Sequence, residues 1–158
     1  MSRIPWDEIQ ALVEASRPAD SPVRDTDRIK KTAEVFTPTD LVIDLIKRVP
    51  ERSLLPGVPV LDPACGDGQF LVAVKWVKVL GFHATEQEAL DDIYGIDIMA
   101  DNVRICRARL GGGNIAVGDA LHPQRNLPSQ TASDKALLKL ILSMSPVEQE
   151  SLFAVSPT

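Results

Sequence analysis

The chain has 158 residues, of which 17 are basic and 22 acidic, for a net charge of −5, and 44% are hydrophobic. That length suffices for one domain with a real core, and no apolar run approaches the roughly 20 residues a membrane span needs. The acidic balance argues against nonspecific DNA binding, which depends mainly on neutralising phosphates, unless the basic residues cluster. Arg24, Arg28, Lys30 and Lys31 are one such grouping, but Asp25 and Asp27 interleave it and it reads as a solvated helix start. Cys65 and Cys106 form no C-x-x-C pair, and Trp6, Asp7 and Glu8 rule out a signal peptide, so two reduced thiols in a cytoplasmic protein are expected.

In chain order, residues 4–15 read as a helix with Trp6, Ile9, Leu12 and Val13 on one face. A loop with Pro18 and Pro22 follows, then a short helix over 28–35 leading into Phe36-Thr37-Pro38. Thr37 suits an N-cap and Pro38 a first helical residue, for a helix reaching about Arg48. Residues 50–57 connect to a strand at 58–62, and a helix at 68–80 turns Phe70, Ala73, Val74, Val77 and Leu80 inward before Gly81 ends it. Residues 86–91 continue as helix, 92–97 form a second strand, and 101–110 a helix with Arg104, Arg107 and Arg109 on its exposed side. After the Gly111-Gly112-Gly113 turn, 114–117 is the third strand. A polar, proline-rich loop leads to an apolar helix at 134–144 with Leu137, Leu140, Ile141 and Met144 on one face. Ser145-Pro146-Val147-Glu148 is a capping box that starts a last helix through Phe153. Alternating strands and helices predict an α/β fold with a short parallel sheet in the order three, two, one.

The stretch from Val58 to Leu71 organises the chain. A short apolar run, a loop with Gly66 and Gly68, and a helix-period pattern spell a strand, a tight turn and a helix start, where backbone N–H groups face a ligand. Asp62 sits at the strand's carboxyl end, where open α/β sheets bind ligands. A dinucleotide fingerprint is incomplete: Leu71 stands where a third glycine belongs, and Asp97 comes late for the ribose acid. His83 and His122 are isolated, and no metal-ligand spacing or Ser/His/Asp set is visible.

The wider text is more specific. Leu61-Asp62-Pro63-Ala64-Cys65-Gly66-Asp67-Gly68-Gln69-Phe70 resembles the cofactor motif of S-adenosylmethionine-dependent DNA adenine-N6 methyltransferases. Glu34-Val35-Phe36-Thr37-Pro38 is similar to the motif those enzymes place before the first strand, and Tyr94-Gly95-Ile96-Asp97 and Val117-Gly118-Asp119-Ala120-Leu121 to their second and third cofactor motifs. The resemblance covers residues 34–121, between a helical segment at 1–33 and loop and helices at 122–158. It implies a Rossmann-like class I methyltransferase fold, three-layered and truncated. It also implies S-adenosylmethionine as cofactor, with Asp62, Ala64 and Gly66 holding the methionine part and Gly68 and Phe70 also among the cofactor-binding residues. Thr37 would touch the methionine end, a role compatible with a cap. Asp97 would hold the ribose, with a helix N-cap as its alternative. Asp119 would receive the adenine amino group, with Ile98 and Ala120 on the adenine faces.

Members of that family also carry an Asn/Asp-Pro-Pro-Tyr/Phe motif after a fourth strand. Its acceptors and aromatic ring hold an extruded adenine in line with the methyl donor, and such positioning can supply about 7–11 kcal/mol. The closest string in these 158 residues, Asn126-Leu127-Pro128-Ser129, lacks the second proline and the aromatic, and comes only seven residues after Asp119. Two functions follow as expectations. One is the cofactor half of a DNA adenine methyltransferase, inactive alone and dependent on a partner for the base pocket. The other is a non-catalytic module acting on a host methyltransferase or restriction-modification subunit. A structural remnant is a third reading. The first strand's unpaired edge and the apolar 134–144 helix lead us to expect a homodimer or hetero-complex, reaching DNA only through it, with no membrane association.

Overall fold

The computed structural model describes residues 3–18 and 37–144. The helix read over 28–35, the basic grouping at 24–31 and the capping box at 145–148 lie outside the described residues. The elements are α1 (Trp6–Ala15), α2 (Thr39–Ile46), β1 (Val60–Asp62), α3 (Gln69–Trp76), α4 (Glu86–Asp91), β2 (Ile93–Asp97), α5 (Ala100–Leu110), β3 (Asn114–Val117) and α6 (Ala132–Leu142). A 3₁₀ turn covers Glu51–Ser53, and α3 runs directly into a π turn at Val77–Gly81.

The strands form one parallel sheet with β2 in the middle, so the expected order three, two, one holds. Val60 faces Ile93 and Asp62 faces Gly95 on one side of β2; Tyr94 faces Asn114 and Asp97 faces Val117 on the other. All three strands therefore end at the same rim of the sheet. Side chains alternate between the two faces of the sheet. Ile93 and Ile115 enter the main core with Ile9 and Val13 of α1, Val42 of α2 and Leu71 of α3. Leu61 and Ile96 point to the opposite face and meet Leu138 and Ile141 of α6. Helices thus cover both faces, and this is the three-layer, Rossmann-like α/β arrangement.

Helix α3 is enclosed. Leu71, Val72, Ala73 and Val74 are all buried, because α1, α2, α5 and the sheet surround them. Gly95 makes the close approach possible: a Cβ there would sit 2.9 Å from Leu71 Cδ1 and 3.0 Å from Ile115 Cδ1. Two lysines on this helix and its continuation are buried as well. Lys75 donates to the Leu110 carbonyl and pairs with Glu86 at 2.9 Å. Lys78 donates to the carbonyls of Leu55 and Val58 and to Asp92, whose other contact is the Gly57 N–H. This pair ties the connector before β1 to the start of β2. Burial pulls the Lys78 ammonium below its usual range, and Asp92 opposes that pull.

Several expected boundaries shift for local reasons. Thr37 does not cap α2; Pro38 stands at the N-cap position, with no side-chain bond. Gly81 does not terminate a helix with a left-handed residue. It lies inside the π turn, where a Cβ would meet Ile4 Cγ1 at 3.2 Å, and the reversal is made by His83 at φ 61°. Helix α4 is a separate element with its own capping box, Thr85 with Glu88. Helix α6 begins at Ala132, because Thr131 and Asp134 form a second capping box. Its inward face centres on Leu138 and Ile141, while Leu140 is 54% exposed rather than inward.

Both β1 and β3 are edge strands; side chains of Asp134, Gln130 and Arg107 meet the outward backbone groups of Val117 and Ile115 on β3, whereas no such bonds are made along β1 among the described residues. The Val60 N–H donates to the Asp92 carbonyl, so ladder alternation turns the backbone groups of Leu61 away from β2. No strand pairs with that edge among the described residues.

Candidate functional site

The carboxyl ends of the three strands meet at one rim. The Cys65 N–H donates to the Ile96 carbonyl at 2.9 Å, which lays the loop after β1 across the end of β2. Asp97 completes the junction. Its Oδ2 accepts the Gly66 N–H at 2.9 Å, and its Oδ1 accepts the Met99 N–H at 2.9 Å and Asn102 Nδ2 at 3.2 Å. The Gly118 N–H donates to the Asp97 carbonyl at 3.0 Å and brings in the loop after β3. Asp62, Gly66, Asp97 and Gly118 are therefore gathered by backbone geometry.

Asp62 is half-buried, and its Oδ1 accepts the Ala64 N–H at 3.1 Å. Burial raises its carboxyl above the usual range, the Ala64 N–H opposes this, and the charge of Asp97 adds to it. Two neighbouring carboxylates, one of them short of stabilising partners, make a place where a positively charged ligand group lowers the electrostatic cost. The space over Gly66 is open, with nothing within 4 Å of where a Cβ would lie.

Asp119 organises its own loop. Its Oδ1 accepts the N–H groups of Leu121 at 3.0 Å and His122 at 3.1 Å, and Oδ2 lies 3.5 Å from Arg125 Nη1 and 3.6 Å from His122 Nδ1. Burial alone would raise this carboxyl, but those two backbone donors, His122 and Arg125 hold it below the usual carboxylate range. It stands as an ionised acceptor whose Oδ2 has only long contacts. Ile98, between β2 and α5, is 52% exposed, whereas Ala120 packs against the Leu61 and Ile96 cluster.

The loop is anchored from behind by residues that the sequence pattern did not single out. Gln69, the first residue of α3, donates to the Thr37 carbonyl at 2.9 Å and to Thr39 Oγ1 at 3.2 Å. Thr37 thus joins the site through its backbone, not through a capping hydroxyl. The Gln69 carbonyl accepts Arg109 Nη2 at 2.7 Å. Arg109 also donates to the Asp67 and Val13 carbonyls and to Ser16 Oγ, and its Nη1 pairs with the Asp67 carboxylate at 3.3 Å. Of the three arginines expected on the exposed side of α5, Arg109 is in fact buried, and Arg107 bonds the Ile115 carbonyl and Asp134. Only Arg104 simply faces solvent.

Gly68 caps α3 in a left-handed conformation at φ 97°, and a Cβ there would lie 2.8 Å from Cys106 Sγ. Cys65 and Cys106 are both buried, and hydrogen bonding to Cys106 followed by burial pushes the Cys65 thiol far up. Phe70, the second residue of α3, is half-buried against the main core.

Among the described residues no group of His, Cys, Asp or Glu is arranged to hold a metal, and no helix is long and apolar enough to cross a membrane. The model of one family, described as N-6 DNA Methylase, matches residues 25–143. No curated protein and no solved structure matches the chain.

Proposed function

The chain belongs to the N-6 DNA methylase family, and on that premise we propose that it binds S-adenosylmethionine at the strand-end rim and forms the cofactor half of a DNA adenine-N6 methyltransferase. The observation that carries this reading is the junction of Asp62, Gly66, Asp97 and Gly118 at one edge of the sheet. The donor set fits the cofactor. Its ammonium suits the under-compensated Asp62, and the open space over Gly66 leaves room for the methionine part beside Ala64, Gly68 and Phe70. Asp97 Oδ2, which accepts only the Gly66 N–H, keeps a lone pair for a ribose hydroxyl, while Oδ1 is occupied by Met99 and Asn102. Asp119, ionised and with Oδ2 weakly engaged, suits an adenine amino donor, with Ile98 and Ala120 beside the ring. Thr37 contributes from the neighbouring turn.

When bound, the cofactor supplies an electrophilic methyl group. The chain's own part is to hold it: Asp97 locks the glycine loop to the following helix, and Arg109 with Gln69 fixes the same loop from behind. The base-clamping string Asn/Asp-Pro-Pro-Tyr/Phe does not occur in these 158 residues. We therefore place the base pocket outside these residues and assign it to a partner chain of different sequence. The open β1 edge and the exposed Leu140 of α6 support that assignment. The test is cross-linking with methyl-tritiated cofactor under ultraviolet light, alongside tritium transfer to duplex DNA. The reading predicts label on the chain, displaced by S-adenosylhomocysteine, and none on DNA when the chain acts alone. An unlabelled chain, or labelled DNA, contradicts it.

A further inference from the structure

A groove of about 480 Å³ lies between the loop after β3 and helix α6. Arg125 lines it from the loop, and Lys135 and Lys139 line it from the helix, one turn apart on the same face. Leu138 and Leu142 form its apolar floor, and the amides of Gln124 and Asn126 stand at its wall. No carboxylate lines it, although acids outnumber basic residues 22 to 17 over the whole chain. Lys135 and Lys139 have no ion-pair partner among the described residues, and the nearest acid to Arg125 is Asp119, at 3.5 Å.

From this we infer that the groove binds the phosphodiester backbone of duplex DNA, delivering it beside the rim where Asp119 stands. Three cations along one cleft, mixed with amide donors and free of acids, match a row of phosphates better than a single small anion. Arg125 links the two places physically: it lines the groove, and its Nη1 lies 3.5 Å from Asp119 Oδ2. The choice of DNA among polyanions rests on the proposed function; the groove's charge does not. The inference also revises the expectation that DNA is reached only through a partner: the partner supplies the base pocket, and this chain grips the backbone.

The test is fluorescence anisotropy of a labelled duplex with the full chain, titrated with salt. Wild type is compared with Lys135→Gln/Lys139→Gln, with Arg125→Gln, and with Arg104→Gln as a control on the exposed side of α5. Each phosphate neutralised contributes about −0.9 to the slope of log K against log salt, so the double lysine variant should flatten the slope by about two units and Arg104→Gln should leave it unchanged. Equal slopes for the groove variants and the control, or no binding by wild type at low salt, would overturn the inference. Cofactor cross-linking of the same variants separates the two claims. Retained labelling with lost DNA binding supports the groove. Lost DNA binding in Asp97→Ala, with the groove intact, counts against it.

Discussion

Asp97 Oδ2 and the Gly66 N–H meet at 2.9 Å across 31 positions of sequence, and that bond holds the glycine loop after β1 onto the end of β2. The same carboxylate accepts the Met99 N–H, so one side chain fixes two approaches to the rim. Asp97→Ala should therefore loosen both. Hydrogen exchange at the Gly66 and Met99 amides should accelerate relative to the core amides of β2, while the far-ultraviolet circular dichroism stays that of the wild type.

Gly68 faces two separate constraints. Its φ of 97° is disfavoured for a residue with a Cβ, and that Cβ would stand 2.8 Å from Cys106 Sγ. Gly68→Ala should destabilise the chain in denaturant unfolding by more than the about 1–2 kcal/mol expected for left-handed backbone alone. The double variant with Cys106→Ala should show a favourable coupling, because removing the sulfur relieves the clash but not the backbone strain.

Arg109 joins α1, the glycine loop and α5 while buried. Arg109→Met removes the donor to the Gln69 side-chain carbonyl and one of the partners of Asp67 and Val13, and breaking a buried pair from one side costs about 3–5 kcal/mol. Arg109→Lys should not restore it, because one ammonium cannot span the fork that reaches Gln69, Asp67 and Ser16. Equilibrium unfolding in urea measures both.

Asp134 caps α6 and holds β3. Burial alone would raise its carboxyl, but the Thr131 and Val117 N–H groups, the Thr131 hydroxyl and Arg107 outweigh that and hold it below the usual range. A carboxyl depressed in the folded state stabilises above the ordinary carboxylate pKa, and that stabilisation is lost as pH falls through the depressed value. Wild type should lose stability on acidification over that window. Asp134→Ala should lack this component and be about 1–2 kcal/mol less stable at neutral pH, as for a lost N-cap. Thermal unfolding as a function of pH reads the difference.

The strand ends were legible because apolar runs stop at Asp62, Asp97 and Val117-Gly118, and parallel order brings such ends together. Asn114–Val117 agrees with its sequence reading residue for residue. The anchoring of the site was not legible. Arg109 reads as a solvated charge on α5, since its partners Val13 and Ser16 lie more than ninety positions away and arrive only through packing of α1. Lys78 sits in an apolar run, and its lone acid partner, Asp92, opens the next strand. Thr37 reads as a cap in sequence, but α2 starts at Thr39 with Pro38 at the N-cap position, and Thr37 offers its carbonyl to Gln69. The inward face of α6 is ambiguous in sequence for a related reason: leucines and isoleucine occur around most of its circumference, and in the fold Leu138 and Ile141 are the ones buried while Leu140 is exposed.

Isothermal titration calorimetry of the full chain with S-adenosylmethionine reads cofactor binding at the rim without a label or a second component. A saturable heat at one site per chain is expected. Asp97→Ala should weaken it by about 1–3 kcal/mol, through loss of charge-assisted hydrogen bonds. No heat with the wild type, or an isotherm unchanged in Asp97→Ala, would contradict it.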